Sequence, residues 1–466
     1  MPDTLDKPAL AGLLETIAPT AVLRAANDTH HVARDNGIDR WPIQPSDRRS
    51  FLEVQRPRTR EWHDNPQRLA RLSSSFTATA HVRSPMTDPK SSMATSGTHA
   101  HRVMFVDLTR ALAVVLMITG HTVSGLLDPV YASAPWFPAW QFQRGLTSSL
   151  FLLLSGFAFG VATSRRWASH VRLSRAVVRR LQRFAFFLAL GYTVHMPVQS
   201  VRLLGTLDDV AWRSFVAVDV LQLIGATFIA VQVLVFVCRT QRLFTVISLA
   251  LAAVILAVTP AAWDHEWNVM PSVALAYFTP TTGSPFPLLP FASSILIGVG
   301  VGQLYSHWGS AHLRSFANVV LLGGAVLFTV PGLLARYFSY TSASPSAAIP
   351  IEYLVRTGVS FAVLAAIAHA SIHISQLPGV VGAVAQESLV VYSAHLCVVY
   401  GSIWNVGLRQ LIERPLTLGQ AALTGLALTT VMVILAWLWH RLKRNRPRLV
   451  SWIKVATAGW AAFWLY

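Results

Sequence analysis

Three residues early in the apolar part of the chain have types and spacing suited to chemistry inside a membrane. They are Asp107, Arg110 and His121, in the run DLTRALAVVLMITGH. No charge interrupts the stretch between Arg110 and His121. On an α-helix their separation makes three turns plus about 20°, so both lie on one face, roughly 16 Å apart along the axis. That reaches from a membrane surface past the middle of a hydrocarbon core about 30 Å thick. An ionisable side chain at that depth is costly and is by default a functional residue. The plainer alternative is a capping Asp, a snorkelling Arg and a structural His facing a wet interior.

A second set lies late in the chain, in QESLVVYSAHL: Glu387, Ser388, Tyr392 and His395. Ser388 and His395 are seven apart and share a helix face, with Tyr392 near it. A second intramembrane histidine with polar neighbours points to a wet cavity rather than a lipid-facing helix, and a satisfied buried network is the competing reading. Asp219 and Gln222, in DVLQLIG, add a carboxylate that could orient a histidine or pair with an arginine. His195, His369 and His373 sit near span ends, where structural roles are expected. A third set is cationic. Arg172, Arg175, Arg179 and Arg183 are spaced three, four and four, which predicts one helix face at the membrane surface, with Arg180 beside them. Guanidinium groups suit the phosphates of a nucleotide-bearing donor, or else they hold topology and touch anionic lipid.

The elements that must position these groups are membrane helices. Of 466 residues, 53% are hydrophobic and 13% charged, with a mean hydropathy of +0.47. A soluble domain averages about 25% charged residues, so the chain reads as all-α, a polytopic transmembrane bundle. Ten spans are predicted, near 103–123, 146–164, 181–198, 215–237, 243–262, 288–306, 316–336, 352–372, 380–404 and 417–439. Residues 441–466 form a basic tail whose short apolar end, from Ser451, is either an interfacial helix or a partial eleventh span. Residues 1–101 are polar, without apolar period or signal-peptide pattern, and read as a disordered tail or an early start ahead of Met86 or Met93.

The net charge of +17 collects, after the first hundred residues, in short loops between apolar spans. That is a topology signal and argues against nucleic acid as a partner. It places both termini on the cytoplasmic side of the cell membrane and the longer loops outside. Cys238 and Cys397 fall within apolar spans, so no disulfide framework is indicated. No zinc spacing, phosphate-cradling glycine loop or HExxH occurs, and no metal is expected. Gly156 with Gly160, and Gly298 with Gly302, have the small-xxx-small spacing of close helix packing.

The motifs also carry a resemblance. Arg110 and His121 match the R-x10-H signature of the first helix of the acyltransferase family 3 proteins, and Asp107 fits its D-x-x-R opening. FLLLSGF (151–157), the basic run 175–192 and ESLVVYSAH (387–395) are similar to that family's later motifs. VLQLIG (220–225) and FPLLPFASSILIGVGVG (286–302) look closer to the heparan-α-glucosaminide acetyltransferase-like branch of the superfamily. The resemblance spans roughly residues 102–440. Ala111 departs from it, standing where the family usually has glycine.

The resemblance implies transfer of an acyl group, acetyl in the commonest case, from cytoplasmic acyl-CoA to a hydroxyl or amine of a glycan or small-molecule acceptor. His121 would act as general base or as a nucleophile carrying the acyl group. Arg110 would anchor the donor, while His395, Tyr392 and Ser388 would orient His121 or donate to the oxyanion. The arginines 172, 175, 179, 180 and 183 would hold the CoA nucleotide, with Asp107, Asp219, Gln222 and Glu387 in support. The alternative from a different class is a proton-coupled transporter whose buried His and Arg line a pathway.

Overall fold

The computed structural model describes residues 103–339 and 345–465, so the expectation for residues 1–101 lies outside the described residues. The helices are α1 (Met104–Leu126), α2 (Phe137–Arg165), α3 (Trp167–His170), α4 (Arg175–Val194), α5 (Asp209–Val216), α6 (Val220–Cys238), α7 (Gln241–Asp264) and α8 (Ser272–Phe278). They continue with α9 (Leu288–Leu304), α10 (Leu313–Ser339), α11 (Ala348–Ser371), α12 (Gly379–Gln386), α13 (Ser388–Tyr400), α14 (Leu408–Leu411), α15 (Leu418–Asn445) and α16 (Pro447–Leu465). Extended pairing among the described residues is limited to two isolated bridges, Leu127 with Leu416 and Ser402 with Asn405.

Among the described residues, eight helices are long and apolar enough to cross a membrane: α1, α2, α6, α7, α9 with its π-helical extension, α10, α11 and α15. The chain is a multi-pass membrane protein with an all-helical bundle, as the apolar runs predict. The expected span 380–404 is not one straight helix. It breaks at Glu387 into α12 and α13, bent by 73°. The bend turns the Glu387 carboxylate onto α15, where Lys443 Nζ lies 2.9 Å away and His440 Nδ1 3.3 Å.

The third expected span, α4, carries Arg175, Arg179, Arg180 and Arg183 in its first half and is uncharged from Phe184 onward. Ser174 starts it, its hydroxyl accepting from the Val177 amide. Arg172 therefore lies in the preceding turn, and the predicted single helix face holds for Arg175, Arg179 and Arg183 alone.

Successive crossings alternate between two ends of the bundle. One, the arginine end, gathers Trp167, which donates to the Arg239 carbonyl, and the Glu387–Lys443 pair. The other, the Leu127 end, holds the Leu127–Leu416 bridge and the bond from Ser346 to Asp264. After Arg446 the chain turns back, and α16 lays Trp460 against Trp404, with ring centroids 5.7 Å apart. Trp404 lies in the loop after α13, at the Leu127 end. From Pro447 to Trp460 a helix covers about 20 Å, so α16 runs back along the outside of the bundle, with most of its side chains exposed. Val103 and Trp460 thus sit at opposite ends of the bundle.

The two glycine motifs pack against each other. A Cβ on Gly156 or Gly160 would collide with the carbonyls of Ile295 and Val299 on α9, and one on Gly298 or Gly302 with those of Leu153 and Phe157 on α2. Backbone touches backbone along two turns, which allows Cα–H···O=C contacts in place of side-chain interdigitation. Beside this seam, Phe105, Phe157, Tyr305 and Phe316 pack at the arginine end, with centroids 5.1 to 6.4 Å apart. Gly298→Val should force α2 and α9 apart and cost about 2–3 kcal/mol or more, as overpacking does. Equilibrium unfolding in mixed micelles checks this, and an unchanged midpoint would refute the seam.

Candidate functional site

His121 leaves α1 five residues before its end and meets α13, the second half of the broken span. Its ring lies 5.4 Å, centroid to centroid, from that of His395. His121 Nδ1 is 3.2 Å from the Tyr400 hydroxyl, and that hydroxyl also donates to the His121 carbonyl at 3.4 Å. With the hydroxyl proton on the carbonyl, the Tyr400 oxygen accepts from Nδ1–H, and His121 Nε2 keeps a lone pair. His395 is fully buried, and its Nδ1 stands 3.0 Å from the Val391 carbonyl. A carbonyl only accepts, so Nδ1 carries the proton and Nε2 a lone pair. That Nε2 is buried with no hydrogen-bond partner. Two basic ring nitrogens thus meet between α1 and α13. Gly125 allows the approach, since a Cβ there would lie 3.2 Å from Val399 and 3.4 Å from the Tyr400 ring.

Tyr392 continues the cluster. Its ring lies 5.7 Å from that of His395, and its hydroxyl faces Asp219. Asp219 caps α6 by accepting from the Val220 amide at 2.7 Å, and its other oxygen is 3.3 Å from His195 Nε2. His195 Nδ1 is in turn 2.9 Å from the Gly191 carbonyl. Both ring nitrogens of His195 therefore face acceptors, which requires an imidazolium against the Asp219 carboxylate. Of the two partners the sequence left open for Asp219, the structure selects a histidine. His195, expected to be structural at a span end, belongs to the cluster.

Other expected site residues lie elsewhere. Ser388 is the first residue of α13, at the hinge and about 10 Å along the axis from His395. Glu387 is engaged with α15 through Lys443 and His440. Gln222 packs its side-chain amide against Gly191, and both its polar atoms are buried without a hydrogen-bond partner. Arg110 stands toward the arginine end with Asp107 nearby on its face, and Ala111 next to it packs with Val384 and Ala385 of α12. Arg172, Arg175, Arg179 and Arg183 are exposed. Arg180 is turned inward, donating to Thr163 at 3.0 Å and Gln232 at 3.3 Å with its guanidinium 4.4 Å from the Phe159 ring centroid, so it braces α2 and α6 instead of joining the exposed set. Burial, reinforced by Arg180, holds the His170 imidazole in the connecting α3 below its ordinary pKa.

Two close neighbours of His121 escaped the sequence reading. Tyr400 was an unremarked aromatic near a span end. Arg144 was assigned to a loop, because polar Gln141, Gln143 and Arg144 interrupt the apolar run. The helix nonetheless begins at Phe137. Arg144 donates to Gln141 at 3.1 Å, and Trp140 Nε1 donates to Ser124 of α1 at the same distance. The Arg144 stem passes Gly120, where a Cβ would lie 3.8 Å from Arg144 Cγ, and its charge acts on both His121 and Tyr400.

Residues 102–329 match the family model described as heparan-alpha-glucosaminide N-acetyltransferase, catalytic. The match carries His121, Arg144, His195 and Asp219. Tyr392, His395 and Tyr400 come from the chain beyond it. It supports a membrane acetyltransferase-type function and lends nothing to the transporter alternative. Of the two resemblances in the motifs it concerns the second, and acyltransferase family 3 has no part in it. No curated protein matches the chain.

His195→Ala should strand the Asp219 carboxylate and destabilise the protein by about 1–3 kcal/mol, the cost of leaving a half-buried polar group without its partner. The double variant His195→Ala with Asp219→Ala should lose less than the sum of the two singles. A double-mutant cycle on unfolding free energies checks this, and strict additivity would contradict the pairing.

Proposed function

We propose that the chain is a membrane acyltransferase that takes an acyl group, acetyl first of all, from acyl-CoA and passes it to a hydroxyl or amine of a glycan or other envelope-associated acceptor. The observation that carries this reading is the acetyltransferase match over the helices that hold His121, His195 and Asp219. The paired imidazoles with free Nε2 lone pairs supply what acyl transfer needs. In the direct route, one Nε2 takes the acceptor proton as its oxygen or nitrogen attacks the thioester carbonyl. The carbon–sulfur bond then breaks, and the CoA thiolate leaves with the proton. In the two-step route, Nε2 attacks the thioester carbonyl, the carbon–sulfur bond breaks and the CoA thiolate leaves. The acceptor oxygen or nitrogen then attacks the acyl-imidazole carbon, the bond to Nε2 breaks, and the acceptor proton passes to the second imidazole or to the thiolate. Tyr400, on His121 Nδ1, together with Tyr392 and Arg144 would steady the imidazoles and the developing oxyanion.

The positive-inside rule puts the arginine end in the cytoplasm of a cell-membrane protein. There the exposed Arg172, Arg175, Arg179 and Arg183 offer guanidinium forks to CoA phosphates, and Arg110 lies between that surface and the imidazoles. The His pair then lies toward the far leaflet, and the longer loops of the Leu127 end receive the acceptor.

Transfer of labelled acetyl from acetyl-CoA, measured on purified protein with extracted envelope glycans and lipids, tests the reading. His121→Ala and His395→Ala should each lower transfer by about 10²–10⁴ while leaving acetyl-CoA binding intact, the range expected for loss of a proton-transfer group. Undiminished turnover in His121→Ala would remove the proposal. The triple change Arg175→Glu, Arg179→Glu, Arg183→Glu should weaken acetyl-CoA binding at least about tenfold with the maximal rate preserved. Unaltered affinity in titration calorimetry would return those arginines to a purely topological role.

A further inference from the structure

A second group of buried polar side chains gathers where α9 and α11 meet α2, next to the turn of α2 that carries Arg144. Ser294 of α9 is 1% exposed and Tyr353 of α11 is 3% exposed, and the hydroxyls of Ser294 and of Ser149 on α2 both face that of Tyr353. Neither the Ser294 nor the Tyr353 hydroxyl makes a hydrogen bond of good geometry, and the Nε–H of Arg356, one turn along α11, is also buried and unpartnered. Each such group costs about 1–3 kcal/mol when left unsatisfied, so three together are a large standing cost unless something completes them. Gly145 makes room for the guanidinium, since a Cβ there would collide with it. Gly145 also follows Arg144, whose charge acts on His121, so the two sites share one turn of α2.

The chemistry of the group selects its ligand. Arg356 is already ion-paired with Glu352, so its charge is met and an anion would face an adjacent carboxylate. What stays open is hydrogen bonding: one N–H donor and two hydroxyls that both donate and accept. Aromatic walls complete it. The Phe142 ring centroid lies 5.9 Å from the guanidinium, and Phe291 meets Tyr353 edge-on at 5.3 Å. We propose that Ser294, Tyr353 and Arg356 form a binding site for an uncharged, hydroxyl-rich group. Its assignment to the acceptor, as the part of that molecule held while its reacting atom reaches the histidines, rests on the acyltransferase reading.

Full-length protein in lipid nanodiscs, where no sugar-headed detergent competes, is titrated with methyl β-D-glucopyranoside and separately with glycerol 3-phosphate while thermal unfolding is followed. Saturable stabilisation by the glucoside alone is expected, with about tenfold weaker binding in the double variant Tyr353→Phe, Ser294→Ala. The melting temperature without ligand reports whether that variant folds. If it does not, Arg356→Lys, which keeps the charge and removes the Nε–H, is measured in the same way and should also bind about tenfold more weakly. The site is refuted by stabilisation from glycerol 3-phosphate instead, by glucoside binding in the variants equal to wild type, or by no response in wild type. Wild-type protein that takes the glucoside but not acetyl-CoA would overturn the acyltransferase reading and leave the site itself standing.

Discussion

A carboxylate next to hydrocarbon is tolerable only where donors are delivered to it, and Asp219 is met by polar groups from three directions. The Val220 amide comes from its own helix and the His195 imidazolium from the end of α4, while the Tyr392 hydroxyl of α13 faces it from a third side. Each contact fixes one element relative to the others, so a single buried charge sets the mutual placement of α4, α6 and α13. His395 lies within a turn of Tyr392 and inherits that placement, and His121 meets it across the interface with α1. Electrostatic satisfaction and the geometry of the imidazole pair are therefore one requirement.

Close packing does the complementary work where no charge is present. Lipid tails are as apolar as leucine, so association within the bilayer relies on close contact rather than on expulsion of water. The α2–α9 seam reaches that limit, with glycines from both helices meeting carbonyls of the other. This rigid pair stands between the phenylalanine cluster at the arginine end and the polar residues of α2 and α9 toward the Leu127 end. Arg144 and Ser149 on one helix and Ser294 on the other are carried on a frame that has no slack.

Much of this was legible in the sequence, for identifiable reasons. Length and apolarity gave the crossings because hydrocarbon admits few alternatives to helices. The placement of His121 and His395 within apolar helices followed from the length of the apolar runs that hold them. Small-xxx-small spacing marked the glycine seam, although nothing in the spacing said that the two motifs face each other. The rest depended on tertiary contacts. Arg144 looked like a loop residue because a polar patch interrupts hydropathy, yet a helix continues through such a patch when Ser124 and Gln141 supply partners. Arg180 looked like part of a stripe, because periodicity cannot reveal that Thr163 and Gln232 await it inside. The break at Glu387 was hidden because the residues on both sides are equally apolar, and the partners of its carboxylate, His440 and Lys443 on α15, lie more than fifty positions away.

That break has a mechanical meaning for His395. The thirteen residues of α13 form a short rod anchored twice. At one end Glu387 is clasped by Lys443 and His440, and at the other Tyr400 leans on His121. A rod secured at both tips cannot tilt without exposing a carboxylate that is 4% accessible. The imidazole it bears is therefore a stationary anvil, and whatever opens to admit cargo must be sought among the helices that surround it.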